Sequence, residues 1–158
     1  MFKNIIAYRI NPDWKKTTAQ IEAGLSLTRF SKCGATQEKS IGWSEPRNEA
    51  HAVLAEVVNG HIILRLTSET KVLPANVVRR AAEERIEKLE DQMGRKLGRV
   101  EKRDIREEMR LDLLPRAFTR LAHTNVWIDR NAGLLLVDSG SPTRADEVVA
   151  MLLRCLDD

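Results

Sequence analysis

With 158 residues, 42% of them hydrophobic, the chain can bury one ordinary core, and its 31% charged residues are mixed in sign and interleaved with apolar positions, which excludes a disordered polyelectrolyte. Twenty-six Lys and Arg against 23 Asp and Glu leave a net charge of only +3, so the place where positive charge clusters matters more than its total. Cys33 and Cys155 lie far apart with no CxxC pair, and no apolar run approaches the roughly 20 residues of a membrane span, so a reduced, cytoplasmic protein without a membrane segment is expected.

The first ten residues carry Lys3 and Arg9 around Ile5-Ile6-Ala7-Tyr8 with no small-residue cleavage site, and read as a strand rather than a signal peptide. Asn11-Pro12-Asp13 is a turn and helix-start signal, and Ile21 and Leu25, with Trp14, predict a helix from about Trp14 to Ser26. The stretch from Ser31 to Glu49 is polar and loop-like, with a short strand expected at Ser40-Ile41-Gly42-Trp43. Asn59-Gly60 is type I′ turn chemistry, so Val53 to Val58 and His61 to Thr67 should form a hairpin. Its register would set Val57 opposite Ile62, Ala55 opposite Leu64 and Val53 opposite Leu66, making one face wholly apolar, with Glu56 and Arg65 on the other.

Pro74 opens a long helix with Val78, Ala82, Ile86, Leu89 and Met93 on one stripe, and Gly94 and Gly98 bracket its end. A second helix, from about Glu101 to Leu114, aligns Ile105, Met109 and Leu113 before Pro115 stops it. The two read as a helical hairpin. Thr124 to Asp129 and Leu134 to Asp138, joined by Arg130-Asn131-Ala132-Gly133, predict a second β-hairpin. Leu134 to Val137 is apolar at every position, so packing on both faces is expected there. Ser141-Pro142 starts a last helix with Ala145, Val148, Val149, Leu152, Leu153 and Leu156 inward.

The order β-α-β-β-β-α-α-β-β-α implies an α+β fold, an antiparallel sheet of β-hairpins packed by helices, with a projecting two-helix hairpin inserted. Residues 1–70 and 116–158 would form the α+β core of a single region and residues 71–115 the hairpin. A hairpin-then-helix pattern occurs twice, at residues 53–92 and 124–156, without repeated identities.

No catalytic centre stands out. The chain has no GxSxG, P-loop or GxGxxG motif, and no cofactor is expected. His51, His61 and His123 lack metal-ligand spacing to each other or to a cysteine, and surface or hairpin positions explain them more simply. Asp129 and Asp138 flank the second hairpin and would suit a nuclease metal site only if the fold brought them together; ordinary strand-end carboxylates are the other reading. Cys33 lies near cationic residues without a nearby histidine, which favours a structural thiol.

Arg95, Lys96, Arg99, Lys102 and Arg103 lie at the expected tip of the helical hairpin against the single acid Glu101. Such a cluster attracts phosphates without reading sequence, and solvated loop charges balanced by Glu90 and Asp91 are the alternative. Beyond it, Leu113-Leu114-Pro115-Arg116-Ala117-Phe118-Thr119-Arg120 sets an aromatic between two arginines just after a helix stop. Phe118 either wedges or stacks against nucleic acid while Arg116 and Arg120 hold phosphate, or seats the loop on the core; the first reading requires exposure. Trp14, Trp43 and Trp127 fall on structured elements and read as core rather than as stacking platforms.

Phe2-Lys3-Asn4 with Tyr8-Arg9, Cys33-Gly34, Gly42-Trp43, Asn59-Gly60, Leu73-Pro74, Trp127-Ile128-Asp129 and, most specifically, Leu113-Leu114-Pro115-Arg116-Ala117-Phe118 resemble the N-terminal half of the recombination-associated RdgC family. The resemblance implies a nucleoid-associated, homodimeric ring that encloses double-stranded DNA with little sequence preference and restrains the RecA recombinase. Members are about twice this length, so ring closure is not expected of these 158 residues alone. A metal-dependent exonuclease and a protein-interaction domain with little DNA binding are the alternatives.

Overall fold

A computed structural model describes residues 3–47, 49 and 51–156. Met1 and Phe2, which begin the first expected strand and the family-like motif, lie outside the described residues. The elements are β1 (Ile5–Arg9), α1 (Thr18–Leu27), β2 (Lys39–Ser44), β3 (Glu56–Val58), β4 (His61–Val72), α2 (Ala75–Met93), α3 (Arg99–Leu113), a 3-10 turn (Leu114–Arg116), β5 (Phe118–Asp129), β6 (Leu134–Asp138) and α4 (Pro142–Leu156). This is the expected α+β order. The antiparallel sheet runs β1-β6-β5-β4-β2, with β3 paired to β4.

Local chemistry explains where the elements start and stop. Helix α1 begins at Thr18 rather than near Trp14 because Thr17 and Gln20 form a reciprocal capping box, with bonds of 2.8 and 3.2 Å. Trp14 instead closes a turn onto the Asn11 carbonyl, and Arg130 stands 5.5 Å over its ring. Asn59 and Gly60 both have positive φ, and Val58↔His61, Val57↔Ile62 and Glu56↔Ile63 pair in the expected register. The expected apolar face is corrected beyond that point. Val57 and Val53 are exposed, and β3 extends no further back than Glu56. The Glu22 carboxylate accepts the N–H groups of Leu54 (2.8 Å) and Ala55 (2.7 Å), a local substitute for a strand ladder.

The chain divides into two compact units. The first holds the residues up to Ser31, Ile41–Ser68 and those from Leu121 onward. Its core joins alternate positions of the sheet, Ile62, Leu64, Val126, Ile128 and Val137, to Ile21 and Leu25 of α1, Val148 and Leu152 of α4, and the fully buried Trp43. Two glycines permit close approach there. A Cβ on Gly24 would sit 2.4 Å from the Cys155 carbonyl oxygen, and one on Gly42 would sit 2.6 Å from the Phe30 backbone. β6 does lie between two strands, but Leu134 and Leu136 are only half-buried while Leu135 and Val137 are buried, so it is packed on one face rather than both.

The second unit holds Lys32–Ser40 and Glu69–Arg120. Ala82 and Ile86 of α2 pack with Leu97 and Ile105, supported by Leu89 and Met109. Met93, expected on the same stripe, is exposed because the helix ends there, at a left-handed Gly94 (φ +64°). Helix α3 starts at Arg99, two residues earlier than expected, because Glu101 reaches back to the Gly98 N–H at 2.8 Å.

Candidate nucleic-acid interface

The five cations expected at the α2–α3 turn do gather there, and acids are interleaved among them. Glu90, on the last turns of α2, is largely buried and accepts from Lys96 Nζ (2.8 Å), Lys102 Nζ (2.9 Å) and the Leu97 N–H (2.9 Å). Lys96, the Leu97 amide and Lys102, in that order, push its carboxyl down to about 2. Arg95 makes a forked pair with Glu101 at 2.7 and 3.1 Å. That pair, with the Gly98 N–H, likewise lowers the Glu101 carboxyl to about 2. Arg103 pairs with Asp104 at 3.1 Å. The cations nonetheless stay reachable: Lys96 is 88% exposed and Arg103 74%, and Arg99 is exposed on the first turn of α3. Arg95, Lys96 and Arg103 can each contact a phosphate while an acid partner sets their position.

The 3-10 turn after α3 buries Leu114, whose carbonyl accepts from Lys71 Nζ at 2.9 Å. From this anchored point the chain emerges into β5, and Arg116, Phe118 and Arg120 are all exposed. Phe118 is 87% exposed, which removes the reading of it as core. Phe118 and Arg120, two residues apart on a strand, share one face, so ring and guanidinium point the same way.

The alternatives for chemistry fare differently. Asp129 pairs with Leu134 in the β5–β6 register and Asp138 lies four residues further along β6, so the two stand about 13 Å apart along the strand. Ligands of one divalent ion need to approach within about 5 Å of each other, so the carboxylate pair weighed for a nuclease does not form. Asp129 instead accepts the Ala132 N–H at 2.9 Å, and Asp138 accepts those of Lys3 and Asn4. Among the described residues no group of three or more His, Cys, Asp and Glu side chains could hold a metal ion. His61 sits edge-on to Trp127 with ring centroids 5.1 Å apart, and His123 contacts the Thr67 hydroxyl at 2.9 Å. Burial, then Arg65, pushes the His123 ring below its ordinary value. Burial and the neighbouring Glu69 push the Cys33 thiol up, so it is a poor nucleophile. Trp43 is core as expected, its indole N–H donating to Cys155 Sγ at 3.3 Å.

Sequence reasoning missed a second basic region of the same unit. Lys39, Lys71, Arg79, Arg106 and Arg110 line one cavity, with Glu38 as the only acid in its lining. The available signal was the one-turn spacing of Arg106 and Arg110 on α3. The other three come from β2, β4 and α2, which only the fold brings together.

Comparison with known proteins places the chain. A family model described as "Putative exonuclease, RdgC" matches residues 1–158. The chain belongs to the RdgC family. Proteins from Salmonella paratyphi B, Salmonella newport and Salmonella typhi, each named "Recombination-associated protein RdgC", are 37% identical to it over 155 residues, covering 98% of this chain and 51% of each relative. The chain thus spans about half the length of the RdgC relatives it matches. The two RdgC labels differ, one naming a nuclease and the other a recombination association. No helix among the described residues is long and apolar enough to cross a membrane.

Proposed function

We propose that this chain is a sequence-independent DNA-binding region of a nucleoid-associated RdgC protein, which modulates homologous recombination by restraining the RecA recombinase, with a homodimer as the working form and no catalytic step of its own. The partition of charge carries this reading. The second unit holds sixteen Lys and Arg against twelve Asp and Glu, whereas the remainder holds ten against eleven, so the chain's net positive charge resides entirely in one unit. Phosphate attraction needs this kind of local excess and no base-reading geometry. The exposed Arg116, Phe118 and Arg120 add an apolar contact beside cations, while the α2–α3 turn adds the exposed Arg95, Lys96, Arg99 and Arg103 and the half-buried Lys102.

Mixing the chain with labelled duplexes of unrelated sequence across a salt series tests the proposal. Affinity should be weak and alike for all sequences, and with about four phosphate contacts the log-log salt slope should be near −3 to −4. Salt-insensitive affinity, or none at low salt, would remove DNA from this region and leave a protein-interaction domain. Adding magnesium or manganese should leave end-labelled DNA at full length. Metal-dependent shortening would move the assignment to a nuclease.

A further inference from the structure

The basic cavity of the second unit has a lining unlike that of a phosphate-backbone site. It encloses about 640 Å³. Five cations and one carboxylate line it, with Glu107 beside Arg110 and Glu83 3.9 Å from Arg79 just outside the lining, and the rest of the lining is largely aliphatic: Leu73, Ala75, Val78 and Leu114. A duplex backbone presents no apolar group to occupy such a surface. A single strand would bring bases, which bind by stacking on aromatic rings, and no aromatic residue lines the cavity. A peptide that combines carboxylates with an aliphatic or aromatic side chain satisfies both halves of the lining.

The cavity already shows carboxylate recognition. Arg110 pairs with Glu38, a lining residue, and with Glu107 at 3.0 Å. Lys71 Nζ is fixed by the carbonyls of Ala35 (2.7 Å) and Leu114 (2.9 Å), and the Lys71 backbone N–H donates to the Glu38 carbonyl, so strand and loop hold this side of the lining in place. A cation held in position loses less freedom on binding than a mobile one. Arg106, exposed one turn before Arg110, and Arg79 on α2 extend the cationic lining. Arginine favours carboxylates through two parallel hydrogen bonds.

We propose that this cavity docks an acidic peptide segment of a partner protein, with its carboxylates on Arg79, Arg106 and Lys39 and one apolar side chain among Leu73, Val78 and Leu114. The lining includes neither Phe118 nor any of the five cations of the α2–α3 turn, so one chain could engage DNA and a protein through different side chains.

Fluorescence anisotropy with the 158-residue chain tests this, using a fluorescein-labelled peptide of sequence Asp-Glu-Asp-Asp-Leu-Phe. Saturable micromolar binding is expected. Replacing the Leu and Phe by Ser, or the four acids by Asn, should each weaken it about tenfold or more. Arg79→Ala combined with Arg106→Ala, and separately Arg106→Glu, should weaken it similarly while the far-ultraviolet circular dichroism and melting temperature stay at parent values. Duplex DNA should not displace the peptide. No saturable binding, binding indifferent to these variants or to the Ser peptide, or displacement by DNA at matched concentration would each overturn the proposal, the last by reassigning the cavity to nucleic acid.

Discussion

The two units hold themselves together by different means. In the first, one face of a sheet and two helices remove Ile21, Leu25, Trp43, Leu64, Val126, Ile128 and Val137 entirely from solvent. In the second, four residues, Ala82, Ile86, Leu97 and Ile105, form the buried cluster, and charged side chains tie the helix ends. Burial closes the connecting turn only at Leu97, and Glu90 and Glu101 tie the rest of it through Lys96, Lys102, Arg95 and the amides of Leu97 and Gly98. Arg95 and Lys96 therefore serve the fold and remain exposed. The basic surface at this turn is in part a consequence of how the thinner unit is built.

The comparison breaks most visibly at Trp43. Its side chain is fully buried and bonded to Cys155, so Trp43→Ala should destabilise the protein by about 3–5 kcal/mol. Chemical denaturation read by circular dichroism would check this, and a loss under about 1 kcal/mol would show that the first unit is not held by its core.

A smaller effect is expected from Glu90→Gln. It leaves Lys96 and Lys102 without their shared carboxylate, so the Leu97 amide should exchange hydrogen faster and the helix ends should fray, with less loss of melting temperature than Trp43→Ala. The pH dependence has a defined sign. Because the Glu90 and Glu101 carboxyls are lowered to about 2 from an ordinary 4.5, their contribution is fully present above pH 4.5 and is lost as pH falls toward 2. NMR titration of the two carboxyls should find both ionised at pH 3.5, and a midpoint near 4.5 for either would dissolve the account of the turn.

Much of this was legible in the sequence because periodicity and turn chemistry act locally. The element order, the Asn59-Gly60 register and the Gly94 helix end follow from neighbours within a few residues. What was not legible depended on distant partners. Strand β4 continues past Thr67 through Ser68 and Glu69, which are polar yet buried because Thr67 meets Ser44 and His123, and Glu69 takes the Cys33 N–H. Hydrophobic alternation cannot mark such residues. Arg95 to Arg103 stood out as a cluster and Glu90 as an acid that could balance it, but the sharing of one buried Glu90 carboxylate by Lys96 and Lys102 did not, since the spacing from Glu90 to Lys96 crosses a helix end. Asp129 and Asp138 were weighed as a pair because they flank a hairpin, whereas the antiparallel register sets Asp129, the last residue of β5, beside Leu134 and leaves Asp138 at the far end of β6.

The least perturbing substitution is the most informative about function. Phe118 is the most exposed large apolar side chain among the described residues, at 87%, and exposure of this degree at a strand start contributes nothing to a core. Arg116 and Arg120 flank it, and Leu114 and Lys71 anchor the turn from which it emerges, so the ring is held out at a set position rather than on a loose loop. Truncating an exposed phenylalanine costs little, on the order of 0.5 kcal/mol, whereas burial would have made the cost about 3–5 kcal/mol. Phe118→Ala should therefore melt close to the parent. If the ring stacks or wedges against nucleic acid, DNA affinity should fall by roughly 1–3 kcal/mol, or five- to 150-fold, with the salt slope unchanged because no phosphate contact is lost. Arg116→Ala with Arg120→Ala should do the reverse, lowering the slope by about 2. Unchanged affinity in Phe118→Ala would leave the exposed ring to a protein partner and confine DNA contact to the cations.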